Sequence, residues 1–406
     1  MPPAKRRRDA VQLSRGARLW TTLAALLLLI PVLGMQLQST ERLEIFHNRR
    51  LQPWPAATAF VADPVAWVRA ARGWLGDRVY PIRRAAQWRK RFLLNVLHTA
   101  PGRHVALGED GYVFLTGTSN STPYDILQNS CINAHIPSAG PAMQRALREA
   151  AEYGRRRGIA VDVVVMPTLL SLYADRLPAS VPAQYRAACR AAAAGDSPLL
   201  RITAPAGTHY VFPFHELQAL RDDPGFFPQA NWHASGWSIQ VARDAYLAAL
   251  GLPAPAQETR TPVQLPSEIL RMSDLTRLQP AYELHNANVQ IDTDGEAGFR
   301  AAIGELIPNP YFITAVYRNA AVTNGESVLI LSDSYGQLFA PALAGAFASV
   351  AQVTANEMAP GDAARLIAQT ARWRKLDRVI LLTHDGGAFR IYGWTQSLRV
   401  AATQLP

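Results

Sequence analysis

The chain has 406 residues and a formal net charge of +10, but its first 18 residues hold six basic side chains and one acid, so half of the excess belongs to one flank. That distribution, with no interleaved aromatic and basic motif, excludes nucleic acid as the expected partner. The nine histidines are scattered, and no His-x-x-x-His, Cys-x-x-Cys or glycine-rich phosphate loop occurs, so neither a metal nor a cofactor is expected.

Leu19 to Thr40 carries no charged residue, and a run of that length matches the roughly 20 residues of a membrane-spanning helix. Lys5, Arg6, Arg7, Arg8, Arg15 and Arg18 precede it. A basic flank stays on the cytoplasmic side, which predicts residues 1–18 as a cytoplasmic tail and the rest as exported. The segment GMQLQST (Gly34–Thr40) offers no clean small-x-small cleavage site, so the run is read as an uncleaved single-pass anchor in a bacterial inner membrane, with the main domain periplasmic and a cleaved signal peptide as the alternative. Cys131 and Cys189 both fall in the exported part, where an oxidising compartment would let them pair. Two separate buried thiols are the alternative.

Residues 41–100 read as a helical juxtamembrane region, rich in arginine. From 101 onward short apolar runs alternate with helical ones. Gly108–Leu115 reads as a turn feeding a strand, Ala142–Arg157 as a helix, and Val161–Pro167 and His209–Phe214 as strands. Gly236–Leu250 follows as a helix, and residues 251–318, rich in Pro, Thr and Asn, as an irregular insertion. Then come the strand Ser327–Ser332, a helix over Gln337–Ala346, the strand Ser349–Val353, the helix Gly361–Trp373 and the strand Arg378–Thr383. Near-continuous apolar strands alternating with helices predict an α/β domain with a mostly parallel sheet covered on both faces.

The sharpest local feature is LILSDSYG (Leu329–Gly336), a buried strand that ends in Ser-Asp-Ser before a helix. Open α/β sheets bind ligands at the carboxyl ends of their strands, so Ser334 is the candidate nucleophile, flanked by Asp333 and Tyr335 as candidate supporting residues. Backbone N–H groups at the helix start are candidate oxyanion donors. A serine needs a base, and His233 in FFPQANWHASGW is the best placed. LLTHDGGAF (Leu381–Phe389) brings His384 and Asp385 as secondary candidates, against the plainer reading of a polar strand-ending turn.

With these motifs in order the chain resembles the alginate O-acetyltransferases and related exopolysaccharide acetyltransferases of the SGNH superfamily. GDRVYPIR, GEDGYVFL, VVMPTLLSLYADRLP, NWH and SDSY resemble successive family blocks from about Gly76 to the C-terminus. The resemblance implies an SGNH-hydrolase-like three-layer α/β/α domain over residues 101–406, behind the single transmembrane helix. It implies Ser334 as nucleophile, His233 as base and Asn231 in the place of the acid that orients the histidine. It also implies a membrane-bound O-acyltransferase as acetyl donor and a polysaccharide as acceptor.

Two positions depart from the family pattern. Ser332 stands for a glycine, and Asn231 for an aspartate. An amide orients a histidine but does not stabilise its charged form, so another carboxylate is needed, with Asp222, Asp223 and Asp385 as candidates. The rival readings are an acetylesterase of the same fold and a degenerate polysaccharide-binding or assembly subunit. Trp232, Trp237 and Tyr335 are candidate sugar-stacking residues, or core.

Overall fold

The computed structural model describes Trp20, Thr22 and residues 51–78, 80–273, 275–307, 313–356 and 358–404. Apart from Trp20 and Thr22, the run 19–40 lies outside the described residues. Among the described residues no helix is long and apolar enough to cross a membrane. The chain divides into two compact units, one of Met1–His98 with Met272–Leu275, the other of Thr99–Arg271 with Thr276–Pro406.

The first unit contains helices α1 (Ala57–Ala62), α2 (Pro64–Arg78) and α3 (Tyr80–Asn95). Pro64 opens α2 at a position whose N–H would have no helical partner. Asp63 satisfies the next turn by accepting from Ala66 N at 2.9 Å.

The second unit is built on a seven-stranded sheet. In chain order its elements include the hairpin β1 (Val105–Leu107) and β2 (Val113–Leu115), helix α4 (Ala139–Arg157), β3 (Ala160–Met166), α5 (Ala183–Ala193), β4 (Tyr210–Val211) and α6 (Gly236–Ala249). Next come β5 (Glu258–Pro266), the single-turn α7 (Glu268–Arg271), β6 (Leu278–Asn286), β7 (Gln290–Ile291), α8 (Thr293–Ile303) and β8 (Thr314–Arg318). The carboxyl-terminal part supplies β9 (Ser327–Ser332), α9 (Gly336–Leu343), β10 (Ser349–Thr354), α10 (Ala363–Trp373), β11 (Arg378–His384) and α11 (Phe389–Thr403).

Sheet order is β4-β3-β11-β9-β10-β8-β7. The first five strands are parallel, and β8 and β7 close one edge antiparallel. Successive side chains of a strand point to opposite faces, which explains why uninterrupted apolar strands feed two cores. Val164, Met166, Ile330 and Ile380 pack on one face with Ile239 and Tyr246 of α6 and Phe339 of α9. Val163, Val165, Leu331 and Leu381 pack on the other with Met143 of α4, Phe299 of α8, Ile367 of α10 and Trp394 of α11. The unit is therefore a three-layer α/β/α stack, with two antiparallel edge strands that the apolar pattern did not announce.

Residues 251–318 differ most from expectation. Their described part is ordered: β5 and β6 pair antiparallel over nine positions each, from Glu258–Asn286 to Pro266–Leu278. Alternating Thr, Arg and Gln leaves β5 largely exposed, so the stretch lacks the apolar face that marks a core strand. His209–Phe214 shrinks to the two-residue β4, because Pro213 starts a helical turn at Phe214. Cys131 and Cys189 are joined as a disulfide with a Cα–Cα distance of 4.6 Å.

Candidate active site

The carboxyl ends of β3, β9 and β11 converge on one edge of the sheet, and Ser334 sits in the turn from β9 into α9. Asp333 holds that turn. One of its carboxylate oxygens accepts from Tyr335 N at 2.9 Å and the other from His384 N at 2.8 Å, tying the end of β9 to the end of β11. Ser332 turns its hydroxyl towards β10, donating to Val353 O at 3.3 Å and accepting from Gln352 Nε2 at 3.2 Å. A Cβ on Gly336 would lie 1.9 Å from Ser332 Oγ, so a serine at 332 demands a glycine at 336.

His233 reaches the turn from the loop before α6. Its Nε2 lies 2.7 Å from Ser334 Oγ. That loop is pinned at Gly236, where φ is +24° and a Cβ would come within 1.9 Å of Tyr282 O on β6. Only glycine fits so close a backbone approach. Tyr335 closes the other side by donating from its hydroxyl to Trp232 O at 2.6 Å, with its ring 4.9 Å from the His233 imidazole.

The acid is Glu268, the first residue of α7, between β5 and β6. Its Oε2 accepts from His233 Nδ1 at 2.9 Å and from His233 N at 3.0 Å. With the carboxylate at Nδ1, that nitrogen carries the proton and Nε2 is left to accept from the Ser334 hydroxyl.

Asn231, placed by the resemblance opposite the histidine, faces elsewhere. Its Oδ1 accepts from Glu268 N at 2.9 Å and from Gln279 Nε2. Gln279 in turn accepts from Ala230 N at 2.7 Å, and Ser267 donates to Ala230 O at 2.6 Å. Asn231 thus fixes the backbone that carries the acid. The other proposed carboxylates serve elsewhere: Asp385 accepts from Ser171 Oγ and from Thr168 N at 3.2 Å, while Asp222 and Asp223 are exposed.

No protein-family model matches the chain, and no curated protein matches it in sequence. Solved structures similar to it include the O-acetyltransferase domain of Pseudomonas putida AlgJ, at 13% identity over 73% of this chain and 99% of that one, with a TM-score of 0.43. Bacillus cereus PatB1 is 14% identical over 70% of this chain and 96% of its own, TM-score 0.43. Pseudomonas aeruginosa AlgX is 13% identical over 77% and 71%, TM-score 0.40.

The electrostatics follow from burial and pairing. Burial opposes protonation of His233, but the charge and hydrogen bond of Glu268, helped by the charge of Asp333, outweigh it and leave the imidazole above its ordinary pKa. Burial would raise Glu268, and its contact with His233 outweighs that and holds the carboxyl below its usual range. His384 goes the other way: burial dominates and keeps it below the ordinary value.

The expected oxyanion donors are mostly spent. Tyr335 N donates to the Asp333 carboxylate, and Gly336, Gln337 and Leu338 donate to the carbonyls of Asp333, Ser334 and Tyr335. Among the described residues the N–H of Ser334 itself has no acceptor, which makes it the available donor.

Glu268 is the residue that sequence reading missed. It lies 35 positions from His233, and only the β5–β6 pairing brings it back. The sole local cue was the pair Ser267-Glu268 at a helix start, where Ser267 accepts from Leu270 N at 3.1 Å.

Proposed function

We propose that the chain is a periplasmic, membrane-anchored O-acetyltransferase that passes an acetyl group through Ser334 to hydroxyls of an exported polysaccharide. The carrying observation is the continuous line Ser334 Oγ–His233 Nε2 at 2.7 Å and His233 Nδ1–Glu268 Oε2 at 2.9 Å. A nucleophile, a base and an orienting acid within hydrogen-bond reach of one another form a catalytic device for acyl transfer.

In the first half-reaction Ser334 Oγ bonds to the acetyl carbonyl carbon as its proton passes to His233 Nε2, and the Ser334 N–H faces the developing oxyanion. Collapse expels the donor's leaving group with that proton and leaves an acetyl ester on Ser334. In the second, a sugar hydroxyl attacks the ester, gives its proton to His233 and departs acetylated, returning the proton to Ser334. Glu268 balances the imidazolium in both halves and stays ionised. Acetyl-coenzyme A is cytoplasmic, so the donor at this site is an acetyl group handed across by a membrane-bound O-acyltransferase, and the anchor at 19–40 keeps the two together. The order of motifs along the chain supports transfer over hydrolysis.

The test is intact mass after mixing the purified chain with an activated acetyl ester. One acetyl adduct is expected on the parent and none on Ser334→Ala. A folded parent that gains no adduct and turns over no ester sinks the catalytic reading. An adduct lost at the same rate with and without glycans makes the enzyme an esterase.

A further inference from the structure

The first unit carries a surface that the Ser334–His233–Glu268 line does not use. Between Leu51 and His98 stand eight Lys and Arg against two Asp. Both acids are engaged with backbone: Asp77 accepts from Gln52 N at 2.8 Å and Asp63 from Ala66 N at 2.9 Å. The same stretch exposes ten large apolar side chains, against seven in the whole of the second unit. Exposed apolar side chains scattered singly are ordinary, but a concentration of them marks an interaction surface.

On α3 the basic and apolar residues are sorted by face. Trp88 and Phe92, one turn apart and so on one face, are 69% and 53% exposed. Val96 extends the stripe just past the helix end, exposed as well, with its N–H donating to Phe92 O at 3.0 Å. At about 100° per residue the exposed Arg89 and Arg91 fall on either side of the stripe. Leu93 and Leu94 of the same helix are half-buried, so the Trp88–Phe92 stripe is additional to the side chains that the helix turns inward. Aromatic rings between arginines fit the boundary of an anionic lipid layer, where the rings sit at headgroup depth and the guanidinium groups meet phosphates. The chain delivers the face there. Thr40 ends the uncharged run and Leu51 lies eleven residues on, a reach of at most about 40 Å at roughly 3.3–3.6 Å per residue.

We infer that the Trp88–Phe92 face of α3, with Arg89 and Arg91 beside it, docks on the anionic phospholipid surface of the membrane that holds the anchor. The inference rests on the membrane-anchored reading and adds to it a second, reversible attachment, electrostatic and apolar at once, that brings the first unit onto the bilayer.

The experiment reconstitutes the full chain in vesicles of phosphatidylcholine, alone or with phosphatidylglycerol. Cys131 and Cys189 are joined, so Val96→Cys supplies a single thiol for an environment-sensitive fluorophore. In the anionic vesicles the label is expected to shift its emission to the blue, to be quenched by brominated lipid and to be shielded from aqueous iodide. In Arg89→Gln/Arg91→Gln the ratio of immersed to free label is expected to fall about 25-fold, roughly fivefold for each arginine, while Arg89→Lys/Arg91→Lys keeps it. A label that iodide reaches equally in both kinds of vesicle overturns the inference. So does one shielded from iodide yet not quenched by the lipid, because protein then covers the face, or one whose immersion the glutamine pair leaves unchanged. Flotation after a wash at about 1 M salt, where screening shortens to about 3 Å, separates this inference from the anchor. A chain that stays on the vesicles and never shows an immersed label overturns the α3 surface and leaves the anchor standing. A chain whose label was immersed at low salt and that the wash strips from the vesicles overturns the anchor and leaves the α3 surface standing.

Discussion

Glu268 and His233 are joined twice through one oxygen: Oε2 of the glutamate accepts from the backbone N–H of the histidine at 3.0 Å and from its Nδ1 at 2.9 Å. The first contact sets where the loop lies, and the second sets which nitrogen is protonated. Glu268→Gln keeps an acceptor oxygen but loses the charge that balances the imidazolium. Acetyl-adduct formation in that variant is expected to fall by about 10²–10⁴, the upper end being the loss from a comparable acid-to-amide change in serine proteases. Stopped-flow release from a chromogenic acetyl ester measures it, and a loss below threefold would remove Glu268 from the mechanism.

Asn231 gives a sharper discrimination, because it holds the backbone of Glu268 and does not touch the imidazole's Nδ1. Asn231→Asp is expected to stay within about threefold of the parent, since the replaced oxygen still accepts from Glu268 N. Asn231→Ala leaves buried donors at Glu268 and Gln279 without their acceptor, which costs about 1–3 kcal/mol of stability and lowers kcat with it. Asn231→Asp combined with Glu268→Gln is expected to remain as slow as the single Glu268 variant. Rescue by the aspartate would return the acid's role to position 231.

The pH profile follows from the raised pKa of His233. The base works neutral, so acyl-enzyme formation is expected to rise with pH through an inflection above the ordinary histidine value of about 6.5. Glu268→Gln removes the largest influence holding the proton on, which moves that inflection to lower pH. An inflection unmoved by the substitution would show that another group governs it. Stability runs the other way at this histidine: its contribution is present below the unfolded pKa and fades as pH rises through the folded one, while that of Glu268, whose pKa is depressed, is lost as pH falls through its folded value.

Much of this arrangement was legible in the sequence because it depends on local order. Strands such as Ser327–Ser332 declare themselves by uninterrupted apolar runs, and a Ser-Asp-Ser turn after a buried strand locates Ser334 at the crevice wherever the strand sits. The acid was not legible, since Glu268 becomes a neighbour of His233 only through the hairpin β5–β6, whose exposed Thr-Arg-Thr-Pro pattern carries no apolar face to predict it. Motif position pointed to Asn231 for a related reason: it lies in the right segment, but the side chain nearest in sequence holds the backbone while one from 35 residues away fills the role.

Asp162 provides a test of stability away from the site. It is fully buried near the start of β3, accepts from Tyr246 OH at 2.7 Å and Arg378 Nη1 at 2.5 Å, and meets His209 Nδ1 at 3.0 Å. Burial alone would raise its pKa, but His209, Arg378 and Tyr246 outweigh this and hold the carboxyl below the ordinary range. A depressed carboxyl contributes stability at pH above its unfolded value and loses it as pH falls through the folded one. Asp162→Asn is therefore expected to lower unfolding free energy at neutral pH by about 1–3 kcal/mol, because Tyr246, His209 and Arg378 lose a charged acceptor while Arg378 keeps its pairing with Glu326 at 2.8 Å. The deficit should shrink in acid, where the parent loses the same charge. Urea melts of both proteins at neutral pH and near pH 3 measure this, and a constant difference across that range would show that Asp162 acts through packing and not through its charge.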